Sequence, residues 1–90
     1  MIVEKIKYSS KFVKRFGKLS DEMQELAIKK EKLFRLDPLH PSLRLHQLQG
    51  GLKKYWSISV TENFRIVFRR LPDGSVVFVS IGKHDIYRKL

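Results

Sequence analysis

Residues 54–81 constrain the fold most strongly, because two stretches of alternating apolar and polar residues and a third, mainly apolar stretch are separated there by two short turns. The three stretches are residues 54–60, 63–70 and 75–81. Residues 61–63 make the first turn, and residues 71–74 supply a proline and a glycine in the order that tight turns prefer. The alternation has the period of half-buried strands, so it predicts three consecutive antiparallel strands.

The part of the chain before these strands predicts one strand and two helices. Residues 2–8 are expected to form a strand with Ile2, Ile6 and Tyr8 on one face and Val3 on the other. A serine at position 9 or 10 can cap a first helix that ends at Gly17. The apolar stripe of this helix is Phe12, Val13 and Phe16.

The second predicted helix starts after Ser20 and runs to about Leu36, where an Asp-Pro pair stops it. Residues 37–52 then make a long irregular connection, and loops of that length in compact domains are usually functional or disordered. The two helices should fold back as a hairpin on one face of the sheet. The sequence therefore predicts an α+β fold in a single domain, residues 1–90: an N-terminal strand and a helical hairpin packed on a mainly antiparallel, twisted, four-stranded sheet.

The middle strand divides its side chains between two environments. Phe64, Ile66 and Phe68 share one face, which we expect to contact the helices. Arg65 and Val67 lie on the opposite face, together with whatever the long connection and the C-terminal residues bring there. The sequence thus predicts an arginine on the sheet face that the helices leave uncovered.

Net charge is the strongest compositional statement, since 19 Lys and Arg against nine Asp and Glu give +10. The excess is denser after residue 43, where nine basic residues face three acidic ones. Such a surface attracts polyanions, either nucleic acid or an acidic protein. The chain has no cysteine, which excludes disulfides and thiolate chemistry, and no apolar run long enough to span a bilayer. We expect a cytoplasmic protein that uses no cofactor, and the spacing of the three histidines does not favour a metal site.

The order of residues in the C-terminal half resembles a known family. It comprises Trp56-Ser57, Val60-Thr61-Glu62, Arg65-Ile66-Val67-Phe68, an apolar strand, and finally His84 and Tyr87. This order is similar to the RelE/ParE superfamily of toxins from type II toxin–antitoxin pairs, and it leans toward the RelE and YoeB-like mRNA interferase branch. The resemblance implies the RelE-like microbial RNase fold.

The resemblance also implies a catalytic set. RNA cleavage without a metal needs a base for the 2′-hydroxyl, an acid for the leaving 5′-oxygen and cations for the phosphate. His46 lies near the position of the family's general base, Arg65 matches the strand arginine, and His84 matches the C-terminal histidine that would act as the acid. Tyr87 resembles the terminal aromatic residue that stacks on a base or aligns the phosphate. The predicted catalytic residues are His46, Arg65, His84 and Tyr87.

Five further basic residues are interpreted as contacts for RNA phosphates or for an acidic partner: Lys53, Lys54, Arg69, Arg70 and Arg88. Structural alternatives stay open at this point. Arg65 as an ordinary solvent-facing strand residue is one, His84 paired locally with Asp85 is another, and His46 as a surface-loop histidine is a third. A lysine at 53 or 54 is the alternative base.

The resemblance implies the toxin of a type II toxin–antitoxin system that cleaves mRNA on the ribosome, inhibits translation, and leaves 2′,3′-cyclic phosphate and 5′-hydroxyl ends. One alternative is a ParE-type toxin of the same fold, which inhibits DNA gyrase by binding and has no nuclease activity. A third possibility is a nucleic-acid-binding module whose catalytic set has decayed. A toxin implies a cognate antitoxin, and the charge predicts an acidic segment that folds on binding in a toxin–antitoxin hetero-oligomer.

Overall fold

A computed structural model describes residues 3–90, for Lys89 the backbone only. Its elements are, in chain order, β1 (Ile6–Tyr8), α1 (Ser10–Gly17), α2 (Asp21–Leu36), β2 (His46–Gln47), β3 (Tyr55–Ser59), β4 (Arg65–Arg70) and β5 (Val76–Gly82). Short 3-10 helices form at Pro41–Leu43, Gly50–Leu52 and His84–Lys89. We call His84–Lys89 the cover segment. The α+β class is confirmed.

Both helices begin at the predicted serines. Ser9 Oγ accepts a hydrogen bond from Phe12 N at 3.0 Å, and Ser20 Oγ accepts one from Met23 N at 3.2 Å. Each bond satisfies one of the amide groups that a helix N-terminus leaves without a partner. The second helix ends at Leu36, as the sequence predicts.

The sheet has the order β1-β5-β4-β3-β2, with β1 parallel to β5 and the other pairs antiparallel. The sequence predicts four of these strands and misses β2, which lies within the predicted irregular connection. Its two residues are exposed and too few to show alternation, and β3 supplies their pairing: His46 with Ser57 and Gln47 with Trp56.

The N-terminal strand is shorter than predicted, because pairing with β5 covers only Ile6–Tyr8. Residue 2 lies outside the described residues. Val3 and Ile6 were predicted on opposite faces of a strand, but both are buried in the same hydrophobic cluster. The prediction of continuous alternation was wrong here because the strand begins only at Ile6, so Val3 does not follow its period.

The two sheet faces have different cover. The helix face packs against α1 and α2 and carries a group of aromatic rings, in which Phe34 lies 5.0 Å from Phe68 and 6.0 Å from Phe78 between centroids. Ile66 and Phe68 lie on this face, as predicted. Val67 points to the opposite side, which we call the site face.

Candidate functional site

Strand register places two predicted site residues, His46 and Arg65, on the site face together with Ser57. Ser57 pairs with His46, and Arg65 pairs with Ser59 on one side and Gly82 on the other. Side chains of directly paired residues project from the same face of a sheet, and so do residues two apart on one strand. His46, Ser57 and Arg65 therefore share the site face.

The cover segment brings two more predicted residues to this face. Ile86 is buried in one cluster with Val67 and anchors the segment on the sheet. The Tyr87 hydroxyl lies 3.3 Å from Ser57 Oγ, a long hydrogen bond in which either group can donate. The His84 and Tyr87 rings meet edge to face, with centroids 5.8 Å apart. Ser57 is thus paired with His46 in the sheet and hydrogen-bonded to Tyr87.

Arg65 carries the least satisfied polar group of the described structure. Its Nε and Nη1 atoms are buried and have no hydrogen-bond partner there. A buried donor without an acceptor costs about 1–3 kcal/mol, and more when it is charged. An anion with several oxygens is the natural acceptor for a planar guanidinium, which donates two parallel hydrogen bonds.

His46 is held in a defined tautomer. Its Nδ1 lies 3.1 Å from the Arg44 carbonyl oxygen. A carbonyl oxygen only accepts, so Nδ1 carries the hydrogen, and in the neutral ring Nε2 is left with a free lone pair. The His46 side chain is exposed, so this nitrogen can take a proton from a bound ligand.

His84 borders an open cleft beside the end of β5. The cleft has a volume of about 470 Å³ and is lined by Asn63, Lys83, His84 and Asp85. The side chains that line it include charged groups of both signs, Lys83 and Asp85. His84 is exposed there, with room for a ligand group next to the ring.

The predicted phosphate contacts do not all lie together. Lys54 and Arg69 are both neighbours of Tyr55. Lys54 Nζ lies 5.3 Å from the Tyr55 ring centroid, and Arg69 pairs with Tyr55 in the sheet. Arg70 follows Arg69 on the same strand and therefore projects toward the other face. The remaining two are exposed at the margins: Lys53 after the Gly50–Leu52 turn and Arg88 in the cover segment.

Ser57, which connects Tyr87 to the sheet, is not among the residues predicted from the sequence. Its position in the sequence could have indicated it. Ser57 and Ser59 alternate with apolar residues, so the two serines share one face of the strand and the apolar residues share the other. Ser57 is fully buried, and a polar residue in such a place needs a partner. Within residues 3–90, no cluster of three or more His, Asp or Glu side chains is arranged to hold a metal ion.

No protein-family model and no curated protein sequence matches this chain. Solved structures do match. YafQ from E. coli aligns with a TM-score of 0.76 at 20% identity, over 93% of this chain and 97% of that one. A YoeB/ParE toxin from Agrobacterium tumefaciens gives 0.74 at 16% identity, over 90% and 99%. The toxin–antitoxin complex RelBE2 from Mycobacterium tuberculosis gives 0.68 at 15% identity, over 92% and 100%.

The protein has the fold of the RelE/YoeB-like toxins. The resemblance inferred from the C-terminal half of the sequence is therefore confirmed at the level of the fold, over 90–93% of the chain. TM-scores of 0.68–0.76 establish this fold. At identities of 15–20% they do not establish the activity, which has to be argued from the residues of the site. No helix among residues 3–90 combines the length and the apolar character needed to cross a membrane.

Proposed function

We propose that the protein is the toxin of a type II toxin–antitoxin system and that it cleaves mRNA on the ribosome, in the cytoplasm, without a metal ion. The observation that supports this most directly is Arg65, whose buried Nε and Nη1 have no hydrogen-bond partner among the described residues and which shares a sheet face with His46. A buried cation that lacks an acceptor, on the same sheet face as a histidine, fits a phosphodiester better than it fits a purely structural role.

The reaction follows from the chemistry of these groups. His46 Nε2 takes the proton of an RNA 2′-hydroxyl, and the 2′-oxygen attacks the adjacent phosphorus. The bond from phosphorus to the 5′-oxygen breaks, and protonated His84 gives its proton to that oxygen. Arg65 stabilises the charge that builds on the phosphate oxygens, and Tyr87 aligns the substrate. The products are a 2′,3′-cyclic phosphate and a 5′-hydroxyl.

An acidic antitoxin is proposed as the partner that silences the protein. Between α1, α2 and β1 lies an apolar groove of about 280 Å³, lined among others by Tyr8, Phe12, Val13, Phe16 and Ile28. Val13 and Ile28 are 59% and 44% exposed. Contact between apolar side chains and water is unfavourable, so a partner that covers them would be stabilised. An amphipathic segment that places apolar residues in this groove and acidic residues on the surrounding +10 surface matches both features.

The test of the nuclease is a cleavage assay with purified protein, a defined mRNA, and ribosomes present or absent. We expect cleavage that resists EDTA at concentrations that leave ribosomes intact, with cyclic phosphate ends. His46→Ala and His84→Ala should each lose about 10²–10⁴ in rate, and the wild-type pH profile should be bell-shaped.

A DNA supercoiling assay with gyrase runs in parallel. Intact RNA together with inhibited gyrase would replace the nuclease with the ParE-type function. Full cleavage by His46→Ala would move the general base to Lys53 or Lys54, which alanine variants at those positions would then show.

A further inference from the structure

Helix α1 lies along the part of β5 that β1 leaves unpaired. The ladder between β1 and β5 ends at the pair Tyr8 and Phe78. Ser9 continues it with two hydrogen bonds, from its amide to the Phe78 carbonyl at 3.0 Å and from its hydroxyl to the Val79 carbonyl at 2.7 Å. The helix that starts at this point is therefore fixed beside the second half of β5.

The last turn of α1 brings Arg15 to the end of that strand. A β-carbon at residue 82 would lie 3.3 Å from Arg15 Nη1 and 2.5 Å from Ile86 Cγ2. Gly82 is the partner of Arg65 in the sheet, so the direction of this β-carbon is also the direction of the Arg65 side chain. Two guanidinium-bearing residues thus approach Gly82, one from β4 and one from α1.

Within residues 3–90, neither of these two side chains has an ion-pair partner. Arg65 has two buried nitrogen atoms without partners, and the described residues supply no hydrogen bond and no ion pair to the half-buried Arg15 guanidinium. An anion bound near Gly82 would offer acceptors to the donors of both residues.

We propose that Arg15 is a second phosphate-binding residue, which clamps an RNA phosphate together with Arg65. This rests on the proposed nuclease function and adds to it a residue that lies outside the motif-bearing half of the chain. The pentacoordinate transition state carries more negative charge than the diester, so two guanidinium groups stabilise it more than they stabilise the bound substrate.

Arg15→Gln tests the clamp, and Lys14→Gln is the matched control, since Lys14 has the same charge and lies in the same helical turn. The probe is a short single-stranded RNA whose riboses are all 2′-O-methylated, because it binds and cannot be cleaved. We expect Arg15→Gln to weaken binding by about tenfold, with a log–log salt slope less steep by about 0.7, and Lys14→Gln to change binding much less. In an Arg65→Gln background the effect of Arg15→Gln should shrink, because one phosphate is shared.

The two proposals fail in different ways. Wild-type protein that binds the probe in an Arg15-dependent manner but cleaves no RNA would retain the clamp and exclude the nuclease. Cleavage with equal probe affinity for Arg15→Gln and Lys14→Gln would overturn the clamp and leave the nuclease standing, as would full additivity with Arg65→Gln. Thermal unfolding is measured for each variant. If Arg15→Gln does not fold, Arg15→Lys replaces it, and wild-type affinity in that variant would overturn the clamp because lysine cannot donate as a fork.

Discussion

The two faces of the sheet differ in how many buried hydrophobic residues pack on them. The helix face contributes to a cluster of thirteen buried hydrophobic residues, whereas the cluster on the site face contains three buried residues among those described: Leu48, Val67 and Ile86. Among the described residues, the helix face has no buried polar side-chain atom without a partner, while the site face holds a buried guanidinium without one. Buried apolar contacts are concentrated on one side of the sheet, and this allows the other side to keep a cation without a hydrogen-bond partner.

The largest effect should come from breaking the helix face. Phe34 is fully buried between Phe68 and Phe78, and Phe34→Ala should lower the free energy of unfolding by about 3–5 kcal/mol. Leu36→Ala on the same helix is the control, since Leu36 is 86% exposed and should change stability by less than about 0.5 kcal/mol. Urea denaturation measures both. Equal losses for the two variants would contradict the division between the faces.

Next in size is Arg65→Ala, which should separate activity from stability. The proposed role predicts a loss of about 10²–10³ in cleavage rate, or about 2.7–4 kcal/mol of transition-state stabilisation. The melting temperature should stay level or rise, because a buried group without partners is removed. Single-turnover cleavage and thermal unfolding give the two values. A variant that melts well below the wild type would show that Arg65 has a structural role.

A smaller effect is expected where the cover segment meets the sheet. Tyr87→Phe leaves the fully buried Ser57 hydroxyl without a partner, at a cost of about 1 kcal/mol. Ser57→Ala leaves the half-buried Tyr87 hydroxyl, which water can reach, so it should cost less. Chemical denaturation of both variants tests this order. The reverse order would mean that the Tyr87 hydroxyl is bonded elsewhere.

The smallest effect concerns pH and lies away from both faces. The Ser75 hydroxyl and amide donate to Asp73 Oδ1 at 2.6 and 2.9 Å, and these hydrogen bonds lower the pKa of the carboxyl below its ordinary value. A lowered folded-state pKa adds stability above the pKa of an unfolded aspartate, and this stability is lost as pH falls through the folded value. Melting temperatures of wild type and Asp73→Asn should therefore differ slightly at neutral pH and converge in acid. A difference that persists unchanged in acid would contradict the assignment.

Patterns within one segment could be predicted from the sequence, and contacts between segments could not. Alternation along β4 placed Arg65 opposite the helices, and serine capping located α1 and α2, because both are set by neighbouring residues. Strand β2 escaped prediction because its pairing is supplied by β3. The contact between Tyr87 and Ser57 depends on how the cover segment folds over the sheet, and no local pattern encodes that.

The parallel pairing of β1 with β5 affects the order in which the molecule can form. Ser9 hydrogen-bonds to Val79, 70 residues further along the chain. The N-terminal strand can therefore pair only after most of the sequence has been synthesised. Contacts between such distant residues make folding slow, since a long loop must close before any bond is gained. Gly82 and the cover segment come at or after the end of β5. During synthesis the residues of the two helices therefore emerge before the residues that complete the site face.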